Sequence, residues 1–183
     1  MNGQNKIECG CSTSSTTASS IDKRRITVDF LELDMTRVGA SSCSTCTSVE
    51  EQVSQVLEEV KPILEKVDTI IEFKKTLVQS LEQAKALHFK ASPTIRIAET
   101  EIIPTKGDVL GLEDRYWEWQ GNDHPTPPSG LIIDALLRAY VGDKNVPELA
   151  TEVFQVSNSL KAYFAKQSTD ELSTEKANDC GCP

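Results

Sequence analysis

Ile26-Thr27-Val28-Asp29-Phe30-Leu31-Glu32-Leu33-Asp34, then small residues over Gly39–Ser42, then Cys43-Ser44-Thr45-Cys46 running into Val49, Val53, Val56 and Leu57 is the stretch that decides the fold. The first run is a β pattern with apolar residues on both faces. Ile26, Val28 and Phe30 point one way and Leu31 and Leu33 the other, as in a central strand covered on both sides. The run after the cysteines is an amphipathic helix, with Val49, Val53, Val56, Leu57, Val60, Ile63, Leu64 and Val67 on one stripe. Thr47 with Glu50, or Ser48 with Glu51, offers a capping box, and Pro62 is expected to kink the helix. The cysteine pair therefore sits between a buried strand and a helix N-terminus.

Further along, Thr69–Phe73 reads as a second strand and Ser80–His88 as a short helix. Ser92-Pro93-Thr94-Ile95-Arg96-Ile97 alternates as a third strand, opened by Pro93. Glu101–Glu113 is turn-rich. Arg115–Gln120 is an aromatic strand ended by Gly121, and Asp123–Pro128 a proline-rich loop. Ser129 can cap a helix over Gly130–Val141, which Gly142 ends. A last helix is expected over Pro147–Ala165, striped by Leu149, Val153, Val156, Leu160, Tyr163 and Phe164. Strands and helices in this order make an α/β layer structure.

The expected division is a flexible tail over 1–25, a folded domain over 26–142, an additional amphipathic helix over 143–166 and a flexible tail over 167–183. Both tails are polar and carry a Cys-Gly-Cys tip, Cys9/Cys11 and Cys180/Cys182. They hold too little apolar surface to offset their ordering entropy. The added helix must bury its stripe against the body or a second copy, and a homodimer through it is the expectation.

The chain has 183 residues, 38% hydrophobic, 26% charged and 5% aromatic, so its core must be built mainly from Val, Ile and Leu. Its net charge of -9 argues against nucleic acid and against an anionic membrane surface as partners. Met1–Ser20 has no apolar segment of the secretory kind, and no run is long enough to span a bilayer. The expected location is the cytoplasm, where thiols stay reduced. Six cysteines there read as reactive or metal-binding rather than as a disulfide framework.

Three cysteine pairs carry the chemistry. A helix N-terminus favours thiolate over thiol, and the two-residue spacing lets Cys43 and Cys46 reach each other or one soft ion. If the helix starts near Ser44, Cys43 is the activated nucleophile and Cys46 the resolving thiol; if Thr47 is the cap, Cys43 lies a turn outside. The site residues expected for dithiol chemistry are Cys43, Cys46 and Pro93, with Ser92–Pro93 a candidate cis bond. Those expected for a metal are Cys9, Cys11, Cys43, Cys46, Cys180 and Cys182. A Cys-x-Cys on a flexible arm suits Cu(I), Hg(II) or As(III), with Zn a further possibility.

The strand, Cys43-x-x-Cys46, helix, strand and Ser92–Ile97 order resembles the thioredoxin superfamily. More closely, the span from about Val28 to Val141 is similar to a prokaryotic thioredoxin-like family of unknown function. It shares Cys-x-x-Cys before a glutamate-bearing helix, the Ser-x-x-Ile-x-Ile strand, the aromatic strand ending in Gly121, and Pro128–Leu137. The resemblance implies a mixed sheet with flanking helices and a Pro93 that faces the dithiol and helps to exclude metals. It also implies a further cysteine cluster between the Ile-x-Ile and aromatic strands. Lys106–Arg115 contains none, and the Cys-Gly-Cys tails are the candidates to replace it.

Other residues read more plainly. His88 and His124 fit surface or loop positions, and Trp117 with Trp119 fits sheet packing. Asp29 or Glu32 is a candidate proton acceptor near the dithiol, with a surface location favoured and Arg96 a candidate partner. Glu50, Glu51, Glu58 and Glu59 form a solvated helix face. Two functions follow. One is binding or transfer of a soft metal or metalloid, collected on the tails and delivered through Cys43 and Cys46. The other is thiol–disulfide exchange with a thiol-bearing protein partner. An interaction module with an inert fold is a further alternative.

Overall fold

The computed structural model describes residues 23–36, 44–107, 110, 114–142 and 154–174, with the backbone alone for 44–45 and 167–174. Cys9, Cys11, Cys43, Cys180 and Cys182 lie outside the described residues, as do Leu149 and Val153. Among the described residues eleven elements follow in order: β1 Arg24–Leu33, α1 Ser44–Glu65, β2 Thr69–Val78, α2 Leu81–Ala86, β3 Thr94–Ile97, β4 Thr100–Ile102, β5 Lys106–Gly107, β6 Arg115–Trp119, β7 Asn122–His124, α3 Ser129–Val141 and α4 Asn158–Thr174.

β1 is central, as its two apolar faces require. It pairs in parallel with β2 along its whole length, Arg24 opposite Thr69 through Leu33 opposite Val78. On its other edge it pairs antiparallel with β3, Val28 opposite Ile97, and β4 adds the outer strand. The order β2-β1-β3-β4 is a mixed sheet. Ile26, Val28 and Phe30 pack with α1 and α3 on one face. Leu31 and Leu33 pack with Ala84 of α2 and with Leu160, Tyr163 and Phe164 of α4 on the other. This four-stranded sheet with helices on both faces is consistent with a thioredoxin-like α/β fold.

β5, β6 and β7 form a separate three-stranded antiparallel ribbon between β4 and α3. Gly107 lies at φ +88°, and a Cβ there would meet the Asp114 carbonyl oxygen at 2.2 Å, so β5 and β6 approach closely only with glycine. Trp117 of β6 is fully buried in the α1–α3 core.

Several elements differ from expectation. α1 starts at Ser44, so Thr47 and Ser48 lie inside its first turns and neither is the cap. Ile63 and Val67 are exposed; α1 buries only Leu64 of its last turn. β2 runs to Val78 because its polar half, Lys74-Lys75-Thr76, stays in register on β1. β4 and β7 occupy stretches that lack an apolar alternation. α3 takes Pro128 as its N-cap, and Gly142 ends it in the left-handed conformation, φ 69°.

The last helix begins at Asn158 rather than near Pro147, with 154–157 outside any helix, and it reaches Thr174. Its C-terminal half passes into the stretch expected to be tail, because Lys166, Gln167, Glu171 and Leu172 favour helix without needing an apolar stripe. Val156, Leu160, Tyr163 and Phe164 are buried against the chain's own sheet. The Tyr163 hydroxyl donates to the Asp34 carbonyl at 2.9 Å and ties α4 to the end of β1.

Candidate functional site

Cys46 is the third residue of α1, and the helix begins directly after Cys43. Of the two starts open in the sequence, this is the one that puts Cys46 in the first turn, where a helix N-terminus favours a thiolate over a thiol. Cys46 is 2% exposed. Its Sγ lies 3.7 Å from Ser92 Oγ. Ser92, 1% exposed, precedes β3 in the loop that brings Pro93 in, and the Ser92–Pro93 bond is cis.

Ser92 Oγ is fixed from the sheet side. It accepts from the Leu33 backbone N–H at 3.0 Å, and across its contact with Cys46 either the hydroxyl or the thiol can donate. A guanidinium reaches the same sulfur. Arg115 Nη2 is 3.9 Å from Cys46 Sγ, and Arg115 Nη1 donates to the Ser92 carbonyl. Arg115 is 3% exposed. A hydroxyl and a guanidinium thus converge on one buried sulfur at the first turn of a helix. The guanidinium can only donate, so the sulfur is the acceptor at that contact.

Arg115 was not singled out by sequence reasoning, yet its signal was there. It opens the aromatic strand two residues before Trp117, and alternate residues on a strand face the same way. Both are buried, whereas Tyr116 and Glu118 are exposed. Gly107, opposite Arg115 in the β5–β6 ladder, sets the close approach of the ribbon at that position.

Glu32 is 5% exposed on the α1 face of β1, not at the surface. Its carboxylate pairs with Lys75 Nζ at 3.1 Å, and Lys75 also reaches Glu50 at 2.6 Å. Arg96 turns to Glu101 across the β3–β4 hairpin at 3.0 Å and not to Asp29 or Glu32. His88 stacks on Phe154, ring centroids 4.9 Å apart. Among the described residues no group of three or more His, Cys, Asp or Glu is placed to hold a metal ion, and no helix is long and apolar enough to cross a membrane.

Residues 26–136, more than half of the chain, match the model of a family described as a domain of unknown function, DUF2703. The chain belongs to this family. The match starts in β1 and ends inside α3, so the DUF2703 unit holds the mixed sheet, the first turn of α1 with Cys46, the Ser92–Pro93 turn and the ribbon that carries Arg115. α4 lies outside it. No curated protein and no solved structure matches the sequence.

Proposed function

We propose that this DUF2703 protein is a thiol–disulfide exchange protein acting through Cys43 and Cys46. The observation that carries the reading is the buried Cys46 sulfur, held between Ser92 and Arg115 beside the turn at Pro93. A sulfur buried to this degree is a poor target for a bulky disulfide. Attack on a substrate therefore falls to Cys43, and Cys46 is the resolving thiol.

The Cys43 thiolate attacks one sulfur of a disulfide RSSR′. A Cys43–S–S–R bond forms and R′S⁻ leaves. The Cys46 thiolate then attacks the Cys43 sulfur, the Cys43–Cys46 bond forms and RS⁻ leaves. The substrate gains two electrons and the dithiol loses them; the two protons end on the departing thiols. Run backwards, the same steps oxidise a pair of thiols. The partner is a thiol- or disulfide-bearing molecule, and the default compartment is the cytoplasm.

A second reading draws on the Cys-Gly-Cys tips. Two matched pairs of soft ligands at the ends of one chain suit capture of Cu(I), Hg(II), As(III) or Zn and its delivery to Cys43 and Cys46. The two readings separate in one experiment. The reduced full-length protein is purified without chelator, weighed by native mass spectrometry, and assayed for turnover of a small disulfide with glutathione as reductant. Metal-free protein that turns over, with Cys43→Ser and Cys46→Ser each losing all dithiol turnover, supports exchange. A stoichiometric soft ion, lost on replacing Cys180 and Cys182 by Ser and accompanied by no turnover, overturns exchange in favour of ion transfer.

A further inference from the structure

We infer that α4, which lies outside the DUF2703 unit, controls access to the Cys46 sulfur, and that Tyr163 is the positioning residue through which it acts. The inference concerns where Cys46 is held, so it stands apart from whether that sulfur exchanges disulfides or receives an ion.

The contacts run from α4 to the sulfur through the end of β1. The Tyr163 hydroxyl donates to the Asp34 carbonyl at 2.9 Å and lies 3.5 Å from Met35 Sδ. Asp34 directly follows Leu33, the last residue of β1. The Leu33 N–H donates to Ser92 Oγ at 3.0 Å, and Ser92 Oγ lies 3.7 Å from Cys46 Sγ. Tyr163, Asp34, Met35, Leu33, Ser92 and Cys46 are all buried, so each contact is made away from competing water.

This end of β1 depends on such contacts. The β1–β3 register stops at Leu31 opposite Thr94. Beyond it the chain is held from three directions: the Asp34 N–H donates to the Val78 carbonyl on β2 at 3.0 Å, Ser92 takes the Leu33 N–H from the β3 side, and Tyr163 reaches the Asp34 carbonyl from α4. Packing acts at the same place, because Leu33 and Met35 share one apolar cluster with Leu160, Tyr163 and Phe164 of α4. A strand end pinned by separate side chains opens more readily than the interior of a ladder. When it moves, the Leu33 N–H leaves Ser92, and the hydroxyl against Cys46 loses its anchor. A sulfur that is 2% exposed then comes within reach of solution. α4 is in this way a strap, appended to the family unit, that keeps Cys46 covered.

The test uses the full-length Cys43→Ser chain. The native protein is alkylated with iodoacetamide at one fixed pH, and modification of Cys46 is followed on its own peptide. Tyr163→Phe keeps the ring and removes the donor, and should accelerate Cys46 alkylation about 3–10-fold. Ile71→Val controls for general loosening, since Ile71 lies in the other core cluster, opposite Ile26 at the far end of β1. It should accelerate the reaction less than Tyr163→Phe does. Equal acceleration in the two variants, or none in Tyr163→Phe, overturns the inference.

A second arm asks whether the path is the one described. Ser92→Ala and Tyr163→Phe act on the same strand end, so together they should accelerate alkylation by less than the product of their separate effects. Two independent losses of stability multiply, and a full product overturns the path. A third reading needs no variant at Tyr163 or Ser92. In the parent chain the Leu33 amide should exchange its hydrogen as slowly as that of Val28 inside the ladder. A Leu33 amide that exchanges at the rate of an unbonded one overturns the inference directly.

Discussion

Lys75 shows how one side chain can hold a buried charge in place. It lies 3.1 Å from Glu32 and 2.6 Å from Glu50, and its ammonium sits over the Phe30 ring, 5.8 Å from the centroid. Burial is the largest single influence on Lys75 and pulls its pKa down. The hydrogen bonds and charges of Glu50 and Glu32 together outweigh it, and the pKa is raised from 10.5. A raised pKa means that the folded state holds the proton more tightly than the unfolded chain. The stabilisation is therefore complete below pH 10.5 and is lost as pH rises through the higher folded value. Lys75→Met leaves Glu32 buried without its cation, and should cost about 1–3 kcal/mol in urea unfolding at neutral pH. That difference should shrink well above pH 10.5. Equal midpoints at neutral pH would show that Glu32 is satisfied without Lys75. In the sequence Glu32 looked exposed, because a glutamate inside a β run is usually solvated. The lysine that justifies its burial stands on a different strand and becomes its neighbour only through the parallel β1–β2 register.

At the scale of elements, sequence patterning was informative wherever an element met the core along its length. β1, β3 and α3 follow their apolar periods and lie where those periods place them. The cysteine-bearing helix was legible in type but not in its start. Ser44 and Thr45 carry no apolar signal, and Thr47 and Ser48 imitate a cap. β4 and β7 are three-residue strands whose pairing comes from hairpin geometry rather than from alternation. For α4 the stripe was legible through Val156, Leu160, Tyr163 and Phe164, and its destination was not. The apolar period states that a face must be covered and is silent on what covers it. In the folded chain α4 closes the sheet face formed by Leu31, Leu33 and Val78, with Phe89 packed in the same cluster. Ending the chain after Gly142 therefore exposes that face. The shortened protein should bind a hydrophobic dye and aggregate or unfold at temperatures where the intact chain is native. A shortened chain that stays soluble with an unchanged melting temperature would show that α4 is dispensable to the fold.

Across the whole molecule, three pieces distant in sequence meet at one sulfur: the first turn of α1, the loop before β3, and β6 of the separate ribbon. That Cys46 lies beside the Ser92–Pro93 turn was readable because the spacing and order of these residues resemble a known arrangement. Arg115 was not, since a buried arginine is read from its contacts and those span 69 residues of chain. The central claim is that Cys43 attacks and Cys46 resolves. It is tested most directly by trapping. Reduced wild-type and Cys46→Ser chains, full length, are mixed with oxidised glutathione, quenched in acid and mapped peptide by peptide. The account predicts a lasting glutathione adduct on Cys43 in Cys46→Ser, and in the wild type a Cys43–Cys46 disulfide with no adduct retained on either residue. A wild-type chain that keeps glutathione on Cys43 and never forms the Cys43–Cys46 bond would contradict it.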